Sequence, residues 1–412
     1  MAMTKIVETE GGVTAAAGFM AASCEAGINY KNRTDMALVY TKEPATVAGV
    51  FTTNVVKAAP VVWDKEIVAA GGKVNAVVLN SGIANAATGK EGKELNYYMA
   101  EAVADKLSVK VENVLTASTG VIGMQLPKEP LQKGAGLLAE KLAPTKEAAL
   151  AAAKAIMTTD TFPKQCAVTV EIAGKEIHIG GMSKGSGMIH PNMATMLSVI
   201  TTDAVIDGTV LQELLSEDVK DSFNMISVDR DTSTNDTCVV LANGAAGNPA
   251  IEKGSEAYAD FKEALSVVTK SLAKQQASDG EGATKLVEVT VKNCATKEKA
   301  VALSKSVISS NLVKTAMYGS DANWGRILCA LGYAGVDFDP EIIDLTIIAE
   351  NKELFIVKDG VAADYSEEKA TELLSRKEVA ILCDMKEGTE TATAWGCDLT
   401  YDYVKINGDY RS

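Results

Sequence analysis

Lys184-Gly185-Ser186-Gly187-Met188-Ile189-His190-Pro191-Asn192-Met193-Ala194-Thr195-Met196-Leu197 is a glycine-rich, polar loop that runs straight into a strand opening with a threonine. Residues 195–202 read as that strand, with Leu197 and Val199 on one face. Ahead of the loop, Val168, Val170 and Ile172 alternate with polar neighbours. Ala173-Gly174 then reads as a tight turn into Ile177 and Ile179. Residues 180–187 read as a glycine-dense loop. A hairpin, a loop and a further strand place sheet structure at the middle of the chain.

Helical patterns flank this centre. Leu95, Met99, Val103 and Leu107 recur every four residues, and residues 145–157 read as a second helix capped by Thr145. Tyr258, Phe261, Leu265, Val268 and Leu272 recur at spacings of three and four, in a helix that ends near Gly280 and Gly282. Val287, Val289 and Val291 form a following strand. Residues 342–356 and 379–382 read as further strands, with a helix over 366–374 between them. Strands alternating with helices make the class α/β or α+β. Periodicity alone leaves the strand order open.

The chain has 412 residues, enough for two or three domains. Only 5% are aromatic, so Ala, Val, Ile and Leu must fill the core. A formal charge of −14 argues against nucleic acid and against a membrane bound through a basic patch. The first residues carry Glu8 and Glu10 and lack an apolar run, so no secretory signal is expected. No stretch reaches the roughly 18 uncharged apolar residues of a membrane span. The seven cysteines form no Cys-x-x-Cys, which argues against a disulfide framework and a structural zinc site, and for reduced thiols in the cytoplasm. With two histidines, His178 and His190, a histidine-built metal site is not expected.

Several motifs compete for the chemistry. Gly181-Met182-Ser183-Lys184-Gly185 matches a hydrolase elbow, but Gly187 and Pro191 follow where a helix should start. Residues 82–90 lack Walker A spacing. Ser271 and Lys274 make a Ser-x-x-Lys pair on the polar side of an amphipathic helix, where a solvated face explains them. Thr195 reads on composition as an ordinary β-former. Breaking the peptide bond before it would give it an α-amine of pKa about 7.7–8.0, able to take the proton of its own hydroxyl. Ser118-Thr119-Gly120, a small-residue turn at a strand end, can present a hydroxyl and a backbone N–H to an oxyanion; a simple turn fits equally.

At these residues the chain resembles the ornithine acetyltransferase family, the bifunctional proteins of arginine biosynthesis. The resemblance spans essentially the whole chain. It is carried by residues 49–54, Asn80-Ser-Gly-Ile-Ala-Asn85, Ala117-Ser-Thr-Gly-Val-Ile-Gly123, Met157-Thr-Thr-Asp-Thr161, the opening segment, and residues 229–236, 280–285 and 323–326. It implies an α/β fold, a layered α-β-β-α sandwich of the type shared with self-cleaving aminopeptidases, with a smaller C-terminal α/β domain. It implies self-cleavage between Ala194 and Thr195, into an α chain of residues 1–194 and a β chain of residues 195–412. Thr195 is then the nucleophile, and Thr119 with Gly120 the oxyanion hole. Thr158, Lys184, Thr195, Glu281, Asn407 and Ser412 match substrate-binding positions; the family often ends in Thr, so Ser412 is a mild departure.

The implied reaction is ping-pong: acetyl passes from N-acetylornithine to Thr195 and then to glutamate. Lys184 suits the donor's carboxylate and Glu281 its ammonium. No bound cofactor is implied; acetyl-CoA is an additional acetyl donor in bifunctional members, the reading preferred here over a monofunctional enzyme. The implied assembly is a heterotetramer of two α and two β chains. Two rivals stay open: an N-terminal-threonine amidohydrolase or aminopeptidase that passes the acyl group to water, and an uncut binding protein.

Overall fold

The computed structural model describes residues 5–190 and 196–410. The first half runs β1 Ile6–Glu8, β2 Phe19–Cys24, β3 Met36–Phe51, α1 Ala59–Ala69, β4 Lys73–Ile83, α2 Gly89–Leu107, β5 Val114–Val121, α3 Lys128–Glu140, α4 Lys146–Ala155, β6 Lys164–Ile172 and β7 Lys175–Lys184. There follow β8 Leu197–Thr202, α5 Gly208–Asp218, β9 Ile226–Ser227, β10 Thr237–Ala242, α6 Glu256–Ser278 and β11 Leu286–Cys294. The chain continues with α7 Lys297–Ser309, α8 Asn311–Tyr318, α9 Trp324–Gly332, β12 Asp344–Ala349, β13 Lys352–Lys358, β14 Val361–Ala362, α10 Glu367–Leu374, β15 Glu378–Asp384, β16 Glu390–Cys397 and α11 Tyr401–Asp409.

A nine-stranded sheet has the order β1-β6-β7-β8-β10-β3-β4-β5, with β2 also paired to β3. Strand alternation sorts its side chains. Leu38, Val78 and Val114 join the cluster under α2 and α3. Val77, Leu79, Leu197, Val199, Val239 and Leu241 share an inner cluster. Ile177, Ile200 and Val240 join α5 and α6. The result is helix, sheet, sheet and helix in layers, as the resemblance implied.

The second sheet has seven strands in the order β14-β13-β12-β15-β11-β16-β9 and makes the smaller C-terminal α/β part. Helix α6 packs against strands of both sheets, and buried residues from both form one continuous cluster.

Three local expectations change. The expected loop over 180–187 is strand as far as Lys184, because its glycines answer to close neighbours rather than to a turn. A Cβ on Gly180 would lie 1.9 Å from the Gly12 carbonyl oxygen. Ser118-Thr119-Gly120 likewise stays within β5 and pairs in parallel with β4, Thr119 opposite Ser81. The single strand read over 342–356 is a hairpin, β12 and β13, turning at Glu350 and Asn351, both with positive φ. The 168–179 hairpin forms as expected, with Ala173 and Gly174 at φ of 50° and 74°. The Thr145 hydroxyl caps α4 by accepting from the Ala148 N–H at 3.2 Å.

Candidate active site

The ends of β5, β7 and β8 meet at a small pocket lined by Thr119, Lys184, Gly187, Met188, Met196 and Asn235, among others. Sheet register explains the meeting: Leu197 opposes Lys184 across β7 and β8, and Thr237 of β10 opposes Leu197. The Thr237 N–H donates to the Met196 carbonyl at 2.8 Å. Ala194, Thr195 and Ser412 lie outside the described residues.

The Lys184 ammonium donates to the Thr119 hydroxyl at 3.3 Å. A hydroxyl that accepts here keeps its own O–H for another acceptor. Burial pushes the Lys184 pKa down; Asp160, Glu281 and Asp236 push it up and Lys164 pushes it down, with a net lowering. Gly120, beside Thr119, has φ +131, and a Cβ there would sit 2.3 Å from the Gly82 carbonyl carbon. Only glycine fits that approach of two strands.

Glu281 is buried in the connection from α6 to β11, and its N–H donates to the Ser186 carbonyl at 2.9 Å. Its carboxylate packs on Gly187, where an added Cβ would be 2.3 Å away. Asn407, on α11, donates to Glu281 Oε2 at 2.7 Å. The half-buried Thr158 donates its backbone N–H to Asp160 Oδ2 at 3.0 Å. Thr119, Gly120, Thr158, Lys184, Glu281 and Asn407, drawn from five separate stretches of chain, thus surround one region.

Sequence reasoning passed over the polar frame behind these residues. Asn235 donates to the Ala84 carbonyl at 2.5 Å and the Ser118 carbonyl at 2.8 Å, holding the end of β5. Asp229 accepts from the Met188 and Ile189 N–H groups at 2.7 and 2.9 Å. Asp160 and Lys164 pair at 2.7 Å, and Lys164 and Asp279 at 2.5 Å, all three side chains essentially inaccessible. One signal was readable: Lys164 falls in the inward phase of β6 with Val168, Val170 and Ile172, where a charge is out of place.

The competing motifs dissolve. Ser183 is fully buried in β7, donates to the Leu197 carbonyl at 3.2 Å and accepts from Gln276, so it is no exposed elbow nucleophile. Lys274 pairs with Glu288 at 3.0 Å on the flank of α6. His178 bonds Asp203 at 2.9 Å, six residues before Lys184 along β7 and so roughly 20 Å from the pocket. Burial, with Lys305 and Arg230 nearby, lowers the His190 pKa to about 4, so its imidazole is neutral at pH 7. Among the described residues no group of side chains could hold a metal ion.

The model of the ArgJ family matches residues 20–412. The arginine biosynthesis bifunctional protein ArgJ of Symbiobacterium thermophilum is 52% identical, over 98% of this chain and 99% of its own. A crystal structure of the bifunctional protein argJ from Bacillus halodurans is 46% identical, with a TM-score of 0.49, over 51% of this chain and 97% of that one. The ornithine acetyltransferase of Mycobacterium tuberculosis, solved in complex with ornithine, is 39% identical, with a TM-score of 0.42, over 47% of this chain and all of that one.

Proposed function

The chain belongs to the ArgJ family, and from that premise we propose that it carries acetyl from N-acetylornithine to glutamate on Thr195. It is an acyltransferase of arginine biosynthesis. The observation that carries the finer reading is the Lys184–Thr119 contact in a pocket that Met196, the residue after Thr195, also lines.

In the first half-reaction the Thr195 hydroxyl attacks the acetyl carbonyl, and its α-amine takes the proton. The carbonyl oxygen becomes an oxyanion facing the Thr119 hydroxyl and the Gly120 N–H. The tetrahedral state collapses with release of ornithine, which takes up the proton. Glutamate's amine then attacks the acetyl-threonine ester and gives up a proton to the α-amine, which returns it to the Thr195 oxygen as the ester C–O bond breaks and N-acetylglutamate leaves. Lys184 and Glu281 offer opposite charges to the zwitterionic donor, and Asn407 and Ser412 complete its binding. Thr158 borders the same region through its link to Asp160.

The Thr195 hydroxyl and the oxyanion donors also serve the cut, before an α-amine exists there. The hydroxyl attacks the Ala194 carbonyl, the Ala194–Thr195 peptide bond breaks as its nitrogen takes the proton and becomes the α-amine, and water opens the resulting ester, giving an α chain of residues 1–194 and a β chain of residues 195–412. The topology supports a cut without separation: β8 and β10, from the second piece, pair with β7 and β3 from the first. In our reading two α and two β chains assemble as a heterotetramer in the cytoplasm, where seven free thiols are at home. Acetyl-CoA acts as a second donor, in keeping with the bifunctional relatives.

Ornithine release from N-acetylornithine should depend on glutamate, with N-acetylglutamate formed in equal amount. Equal release without glutamate defeats the transferase in favour of a hydrolase. Wild-type protein should separate into two masses under denaturing conditions, and Thr195→Ala should stay at 43.2 kDa. A wild type that also stays whole sinks the self-cleavage. Glutamate with acetyl-CoA alone should give N-acetylglutamate; no product means a monofunctional enzyme.

A further inference from the structure

We propose that Asp160 is a positioning residue that aims the Thr119 hydroxyl through Lys184, with Lys164 and Asp279 as its buried support. This rests on the acyl-transfer reading of the pocket. Asp160 Oδ1 accepts from the Lys164 ammonium and the Gly185 N–H, each at 2.7 Å. Its Oδ2 accepts from the Thr158 N–H at 3.0 Å and stands 4.0 Å from the Lys184 ammonium. One carboxylate therefore ties three stretches that border the pocket. Behind it, Lys164 is shared with Asp279 at 2.5 Å, and Asp279 in turn accepts from the Thr161 N–H at 3.0 Å.

Taking these charges out of water is costly, and apolar side chains of the same volume often replace a buried ion pair with no loss of stability; the Thr158 and Gly185 N–H groups need only a neutral acceptor. What apolar side chains cannot do is hold an ammonium ion in place. Lys184 has Asp160 on one side and the Thr119 hydroxyl on the other. By donating to Thr119 Oγ1 it turns the Thr119 O–H away from itself, as a donor. A donor aimed before the reaction stabilises the oxyanion without reorganising, and removal of one such donor typically costs about 10²–10³ in kcat. Asp160 touches no reacting atom in this scheme; it acts through Lys184.

The charged groups facing Lys184 are Asp160, Glu281 and Asp236, which favour its ammonium form, and Lys164, which with burial opposes it. Asp160→Asn removes one of three supporting carboxylates. Lys184 should then lose its proton at lower pH, and the alkaline limb of kcat should move to lower pH. A merely structural role would lower the melting temperature and leave that limb in place.

The test compares wild type, Asp160→Asn and Asp279→Asn as full chains, with kcat and KM for N-acetylornithine measured per cleaved chain from neutral to alkaline pH. Asp160→Asn should lose roughly 100-fold in kcat, with KM within about threefold and the alkaline limb displaced downward. A slowed self-cut is the same effect on the same oxyanion. Near-wild-type kcat, a loss confined to KM, or an unmoved limb overturns the proposal. Should Asp160→Asn fail to fold, Asp279→Asn decides. It leaves Lys164 wholly to Asp160 and weakens the hold on Lys184, so the limb should move in the same direction with a kcat loss of roughly tenfold; an unmoved limb overturns the proposal. If wild type releases ornithine equally without glutamate, the transfer reading has failed, and the same variants are scored on hydrolysis, which uses the same oxyanion.

Discussion

Asp64 and Asp160 are both carboxyl groups without access to solvent, and the fold treats them in opposite ways. Asp64 lies on the buried face of α1, where Oδ1 accepts from the Thr116 N–H at 2.8 Å and Oδ2 has no hydrogen-bond partner among the described residues. Burial there raises its pKa well above the usual carboxylate range. Asp160 is as deeply buried, yet Lys184 and Lys164 outweigh burial and hold it at about 2. Burial therefore neutralises an acid unless cations are buried with it. This protein buries two lysines here, Lys184 lining the pocket and Lys164 behind it, and the charge persists.

The largest effect should come from removing the inner cation. Lys164→Met leaves Asp160 and Asp279 buried with one partner fewer, and should cost about 3–5 kcal/mol in urea unfolding. A cost below about 1 kcal/mol would erase the contrast with Asp64. Lys184→Met removes the outer cation, which faces the pocket. Its loss should fall mainly on chemistry, about 10²–10³ in kcat for acetyl transfer, with a smaller change in unfolding. Equal stability losses for the two lysines would mean that both are merely structural.

The two acids should also separate in pH. The folded pKa of Asp160 is depressed, so its contribution is present above the unfolded value near 4 and disappears as pH falls toward about 2. It is on the order of 2 kcal/mol, and melting temperatures of wild type between these limits should show it. The folded pKa of Asp64 is raised, so its contribution is fully present below the unfolded value and disappears as pH rises through the folded one. Asp64→Asn should therefore lie within about 1 kcal/mol of wild type near pH 4, and be the more stable of the two at higher pH. A variant that loses ground as pH rises would show that Asp64 carries its charge after all.

Two of the three misread stretches, 180–187 and 118–120, have a common cause. Gly180, Gly181 and Gly120 look like loop glycines in the sequence, but each sits in a strand because another chain segment passes close by: Gly12, Leu272 and Gly82 respectively. A one-dimensional reading cannot tell a glycine that bends the chain from one that admits a neighbour. By contrast, the 168–179 hairpin and the Thr145 cap were legible because turn dihedrals and capping bonds involve residues only a few positions apart.

The same division runs through the site. Alternation and helical spacing specified several strands and helices, because burial of one face is a local pattern. The scarcity of histidine, the loop leading to Thr195 and the quoted motifs were enough to suggest an acyl-carrying threonine and its companions. Composition and spacing could not bring Lys184 beside Thr119, Asn407 beside Glu281, or Asp160 and Lys164 beside Asp279. These partners are up to more than a hundred residues apart in the chain. Whether a buried charge finds a cation depends on which strand ends the sheets bring together, and only the folded core sets that.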